Sequence, residues 1–307
     1  MTEPSSRTAR VGRPASSRAV DAVVSRIIWA CGWLAIVILA AIFVFLTVNA
    51  QQALRTVGLW KMLSGTDWFP TIQPGRFGFL PSEVGSLWVT GISLVVAVPI
   101  GVAASVYLSE FASGAFKEVA KSVVEFMAAV PSVVLGLLGL AFLDPLITTV
   151  FHIDSGLTAL TAGLVVGIMS LPTIISIAED ALHNVPKDLR QGSLALGNTR
   201  WQTTYKVVVP AASSGIFAAV MLGLGRAIGE TMVVLMLAGN SGLIITSALQ
   251  PARTLTGTIA QEMGEVVRGG LHYSVLFAMG LVLFAITFAI NLAADVVLEN
   301  QRKKWRR

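Results

Sequence analysis

Charge is scarce in this chain. Of its 307 residues, 13% are Asp, Glu, Lys or Arg, against about 25% in soluble domains. By contrast, 54% are hydrophobic, and the mean hydropathy is +0.75. This deficit excludes an ordinary soluble globule and fits an all-α, polytopic membrane protein. Cysteine is nearly missing as well. The single one, Cys31, has no partner for an internal disulfide and cannot build a cysteine metal cluster. It lies in an apolar run, where a small packed side chain is its simplest role. The three histidines, His152, His183 and His272, are too dispersed for a metal site, so no metal is expected. No Gly-Lys dipeptide occurs, which excludes the Gly-Lys-Ser/Thr loop that cradles nucleotide phosphates. No nucleophile–base pair is visible either, so the chain is not expected to be an enzyme or to bind a cofactor. The net charge of +5 does not indicate nucleic acid, because the basic residues gather at the chain ends and in particular loops.

What is present is a set of long apolar runs. Six segments reach the roughly 20 residues that a spanning helix needs: 27–48, 85–108, 123–143, 157–178, 213–238 and 274–298. Continuous runs rather than short alternating ones predict helices and not a barrel. Of the 22 Lys and Arg, 16 fall in the N-terminal tail, in the loops after the second and fourth segments, and in the C-terminal tail, while five fall on the other side. The positive-inside rule then places both termini in the cytoplasm. The expected organisation is a disordered cytoplasmic tail over 1–26, a first span with an external loop over 27–84, a permease core over 85–298 and a basic tail over 299–307. Pro99, Pro131 and Pro172 fall inside predicted spans, where each removes a backbone donor. The external stretch 255–267 has helical spacing and is expected to lie at the outer surface. Glu125 follows Lys121 by four residues, the spacing of a surface pair.

The fourth and fifth segments are joined by a loop, within a stretch expected over 179–212, that has features of a docking knob. Gly197 can take positive φ and break a helix into two arms. Leu194, Leu196, Trp201 and Tyr205 supply apolar anchors, and Lys187, Arg190 and Arg200 a charged rim, which is the composition of a docking surface. An amphipathic helix lying on the membrane would have a similar composition. The run also resembles the "EAA" loop of ABC importer permeases, whose pattern is E-A-A, three residues, Gly, nine residues, then I-x-L-P. Gly197 and Val207-Val208-Val209-Pro210 hold those places, whereas Gln191-Gly192-Ser193 replaces E-A-A. The resemblance assigns Arg190, Gln191, Gly192, Ser193, Leu194, Ala195, Leu196, Gly197, Asn198 and Trp201 to contact with an ATPase.

Arg226 lies at the middle of the fifth segment, with Glu230 four residues on. A charge at bilayer depth costs about 2.5–3.5 kcal/mol on insertion scales, so it usually serves something polar that binds or passes there. Read as one helix, the segment puts both groups on one face. An intrahelical ion pair that neutralises itself is the competing reading. The stretch Gly229-Glu230-Thr231-Met232 with Gly239-Asn240, together with Tyr107–Phe111, Val130–Val134 and Ser170–Ile174, is similar to the C-type permease subunits of phosphate-specific ABC importers, the Pst systems. That resemblance implies a type I importer permease fold in a bacterial cytoplasmic membrane. It further implies an A-type permease as heterodimer partner, an ATPase dimer that holds the ATP and Mg, and an extracytoplasmic phosphate-binding protein. It places Arg226 and Glu230 in the anion path. A guanidinium is charged at any working pH and suits phosphate with a fork of donors. A carboxylate can accept the proton that phosphate still carries near neutrality, and sulfate has none to give. Permeases for sulfate, molybdate or phosphonate, and an ion-coupled transporter using Glu230 as proton carrier, are the alternatives.

Overall fold

The computed structural model of the chain describes residues 15–72 and 74–305. The tail expected over 1–26 lies outside the described residues as far as residue 14. From Ala15 the chain is already helical, in α1 (Ala15–Thr56), so residues 15–26 are helix and not a disordered tail. The chain divides after Val48 into two units. The described part of the first is α1 as far as Val48. It carries exposed large apolar side chains, including Ile28, Trp29, Phe43 and Phe45, and it is long and apolar enough to cross a membrane. Trp29 and Trp33 meet edge-on, 5.7 Å between ring centroids.

The second unit starts at Asn49 and carries the rest of the fold. The end of α1 is followed by α2 (Leu59–Ser64) and a small antiparallel hairpin of β1 (Trp68–Phe69) and β2 (Arg76–Phe77), with Trp68 opposite Phe77. Next come α3 (Leu80–Val106), closed by a π-helical turn (Tyr107–Phe111), and α4 (Gly114–Ala129). Then α5 (Ser132–Leu138) and α6 (Asp144–Phe151) run on through a second π turn, and α7 (Ala159–His183) follows. The segment between α7 and the next long helix holds α8 (Lys187–Ala195), α9 (Arg200–Thr203), a third π turn and α10 (Val209–Ala211). The chain ends with α11 (Ser213–Gly229), α12 (Met232–Leu237), α13 (Leu255–Glu262) and α14 (Leu271–Trp305). Residues 299–305, expected as a tail, are thus the end of α14. Among the described residues, five helices are long and apolar enough to cross a membrane, and six if the pair Arg200–Ala211 and Ser213–Gly229, bent by 69°, counts as one.

Two spans differ from the sequence reading. The third is Ser132–Phe151, not 123–143. Pro131 sits at the entry to α5 and not inside a helix. A residue before proline is pushed out of the α region, and Val130 has φ −65°, ψ 126°. Residues 123–129 belong to α4, a separate amphipathic helix with Phe116, Val119, Val123 and Phe126 exposed. The fifth span, expected to run through 238, stops at Gly229, where Glu230 turns extended (φ −68°, ψ 131°). Pro99 and Pro172 do lie inside helices.

The core lies where α3, α7, α11 and α12 meet, around Val89, Val166, Ala227, Val233 and Leu237. Small residues let these backbones approach, as membrane helices require in the absence of a hydrophobic drive between them. A Cβ at Gly163 would lie 2.7 Å from Ile92 Cβ and 3.1 Å from the Val89 carbonyl oxygen. At Gly91, on the same helix pair, a Cβ meets nothing within 4 Å. Gly163→Ala is therefore expected to destabilise the purified protein by about 1–3 kcal/mol, read as a lower thermal midpoint in detergent. Gly91→Ala should leave it near wild type, and equal midpoints for the two would contradict this packing.

Candidate anion path and coupling knob

Arg226 sits in the last turn of α11. Its Nη1 donates to Thr173 Oγ1 on α7 at 3.2 Å. Both residues are half-buried. No ion pair within 4.0 Å joins this guanidinium to a carboxylate among the described residues. A cation inside a span thus rests on a neutral hydroxyl, and most of its five N–H donors remain available. The helix break removes the premise that Arg226 and Glu230 share a helix face, and with it the self-neutralising pair. Glu230 instead accepts from the Val233 N–H through Oε1 at 3.2 Å, closing the first turn of α12. Its carbonyl accepts from Thr256 Oγ1 at 2.9 Å, which ties the break to α13. The other face of α11 borders a cavity of ≈ 350 Å³ lined by Leu224, Ile228, Ser86, Thr90 and Glu83. Glu83 Oε1 is buried there without a hydrogen-bond partner among the described residues.

At the His183 end of α7, the Gly197 joint forms as expected, with φ +84°. Thr199 caps α9 in a reciprocal box with Gln202, at 3.2 Å and 2.9 Å. The two arms are glued inside by Ser193 with Thr203 at 2.9 Å and by Asn198 with Ser193 at 3.2 Å. Ser193 and Asn198 are therefore internal to the knob. Its exposed face carries Leu194, Leu196 (85% exposed) and Trp201 (61%), with the Tyr205 ring tilted against Trp201 at 6.4 Å between centroids. Gln191, Gly192 and Ala195 are exposed on the same arm. Arg190, read as rim, is instead a clamp. It donates to the Leu182 and Val185 carbonyls and pairs with Glu110 of the first π turn at 2.8 Å. Nearby, buried Glu179 holds Lys121 at 3.0 Å and Lys117 at 3.3 Å, fastening α4 to α7. Lys121 therefore pairs across to α7 and not with Glu125. The hydrogen bond to Glu179 and then its charge raise the Lys121 ammonium above the usual lysine range, so this contact outlasts that range as pH rises and is lost only above it.

The opposite end has a second hub. Glu262 accepts from Arg253 Nη1 at 2.6 Å, from Trp68 Nε1 at 2.8 Å, and meets His272 Nε2 at 2.8 Å. His272 is thus not the isolated residue it looked, although no group of three metal-ligating side chains occurs among the described residues. α13, expected on the surface, buries its first turn from Leu255 to Thr258. Sequence reasoning missed Thr173, Glu110 and Glu83. Thr173 could have been noticed as the hydroxyl beside the mid-helix Pro172.

A bundle of apolar helices with an arginine in one span and a knob at one end fits a polytopic transport permease. The family model described as "Binding-protein-dependent transport system inner membrane component" matches residues 97–307. The chain belongs to that family. It is 39% identical over 279 residues to the "Probable ABC transporter permease protein YqgH" of Bacillus subtilis, covering 90% of each chain. It is 36% identical over 313 residues to the "Phosphate transport system permease protein PstC" of Mesorhizobium japonicum, covering 96% of this chain and 94% of that one. The fold is shared with a bacterial ABC transporter "involved in the import of the acidic polysaccharide alginate", at a TM-score of 0.63 and 15% identity over 92% of this chain and 99% of that chain.

The clamp makes a direct prediction. Arg190→Ala should destabilise the knob by about 2–4 kcal/mol, because it strands the Glu110 carboxylate and two carbonyls. Limited proteolysis of the purified protein should then cut within 184–203 faster than in wild type. Cleavage at the wild-type rate would contradict the clamp.

Proposed function

We propose that this chain is a membrane-spanning permease subunit of an ATP-driven importer that passes inorganic phosphate. Its termini lie in the cytoplasm, its Gly197 knob docks on a partner ATPase dimer, and a second, A-type permease completes the path. An extracytoplasmic phosphate-binding protein delivers the substrate at the Glu262 end. The observation that carries this reading is the guanidinium of Arg226, held in a span without a carboxylate. An ionisable residue inside a span points to a substrate or ion path, and an oxyanion supplies the counter-charge that Arg226 lacks. Arginine offers phosphate two parallel donors where lysine offers a point charge. The curated relative named for phosphate transport gives the choice of oxyanion its support.

The mechanism is alternating access. ATP binding closes the partner dimer and moves the knob through Leu194, Leu196 and Trp201. The bent α9–α11 segment transmits that movement to Arg226, because it joins knob and span directly. Glu230 stands at the break beyond it. Its second carboxyl oxygen is left to accept the proton of a phosphate, and its charge repels sulfate.

Uptake by cells whose only phosphate importer carries each variant tests the reading. Arg226→Lys keeps the charge and loses the fork, and it should lower phosphate uptake at least tenfold while the subunit still co-purifies with its ATPase. Glu230→Gln keeps the α12 cap and should admit sulfate. Wild-type phosphate uptake by Arg226→Lys would overturn the path. Unchanged phosphate and sulfate uptake by Glu230→Gln would overturn the selectivity step.

A further inference from the structure

We infer that Thr173 is a second ligand for the anion and the residue that aims Arg226 at it. This rests on the path reading above and goes beyond it by adding a residue on a different helix. Several span hydroxyls here are spent on their own helix. Ser86 donates to the Ser82 carbonyl, Ser93 to Thr90, Ser105 to Val102, Ser170 to Val166 and Thr287 to Leu283. Such back-bonding is the ordinary fate of a helical Ser or Thr. Thr173 makes no such bond among the described residues. Its oxygen accepts from Arg226 Nη1 across the α7–α11 interface at 3.2 Å.

A hydroxyl has one proton to donate besides its accepting lone pairs. With the oxygen occupied by Arg226, the Thr173 O–H remains to be used. It is half-buried, so its surroundings are neither bulk water nor sealed core. The contact with Nη1 fixes one corner of the guanidinium fork, leaving Nη2 and Nε to meet two oxygens of a tetrahedral oxyanion. The hydroxyl beside that corner keeps its proton for the anion. Positioning and binding therefore come from one group. Pro172, just before Thr173 inside α7, has no N–H of its own, so it does not compete for an anion there.

The test is initial-rate uptake of radiolabelled inorganic phosphate by cells whose only phosphate importer carries Thr173→Val or Thr173→Ser, with subunit amounts measured in the membrane. Valine keeps the shape and removes the hydroxyl. It should raise KM about tenfold, the loss of a hydrogen bond to a charged group, with the maximal rate within twofold. Serine should restore KM to within twofold of wild type, which a merely steric role for the side chain would not do. If the valine variant does not accumulate, Thr173→Ala carries the same expectation. A hydroxyl-free variant with wild-type KM would overturn the inference, as would a serine variant no better than valine. Failure of the path reading looks different: there, Arg226→Lys itself imports with wild-type KM. If Arg226→Lys fails while Thr173→Val is normal, only the role of Thr173 is lost.

Discussion

A guanidinium that leans on a neutral hydroxyl inside a membrane span is the contact on which this account turns. Arg226 meets Thr173 and no carboxylate among the described residues. Several other charges that leave water are neutralised, Glu179 by two lysines, Glu110 by Arg190 and Glu262 by Arg253, whereas Glu83 Oε1 of α3 is buried without a hydrogen-bond partner among the described residues. Those pairs serve the fold, tying α4, the knob and the α13 end into place. The arginine in the span differs from these pairs, and the proposed reading assigns the free-energy cost of leaving it unpaired to an incoming anion.

The break after Gly229 bears on the same cation. Had α11 continued, Glu230 would have stood one turn above Arg226 and cancelled its charge. The extended backbone at Glu230 turns the carboxylate to the Val233 N–H, and Thr256 fastens the turn from α13. A carboxylate and a guanidinium that the sequence sets four apart are thereby separated, as the proposed anion path requires.

Much of this could be read from the chain itself. Low charge and long apolar runs gave the class, Gly197 gave the joint of the knob, and Leu196 with Trp201 gave its exposed face. What was not legible depended on backbone events that hydropathy does not encode. Pro131 lies in an apolar run that scores as continuous, so the start of the third span was misplaced and α4 was merged into it. The break at Glu230 has no proline to announce it, and it is held by Thr256 from a distant segment. Arg190 looked like a rim charge because its partners, Glu110 and the Leu182 and Val185 carbonyls, converge on it only in three dimensions.

The most direct measurement is phosphate uptake by Thr173→Asp, which sets a carboxylate beside Arg226 and gives the cation the partner it lacks. The account predicts a subunit that assembles in normal amounts and is at least as resistant to thermal unfolding, yet imports no phosphate. Import at the wild-type KM with that carboxylate in place would contradict it.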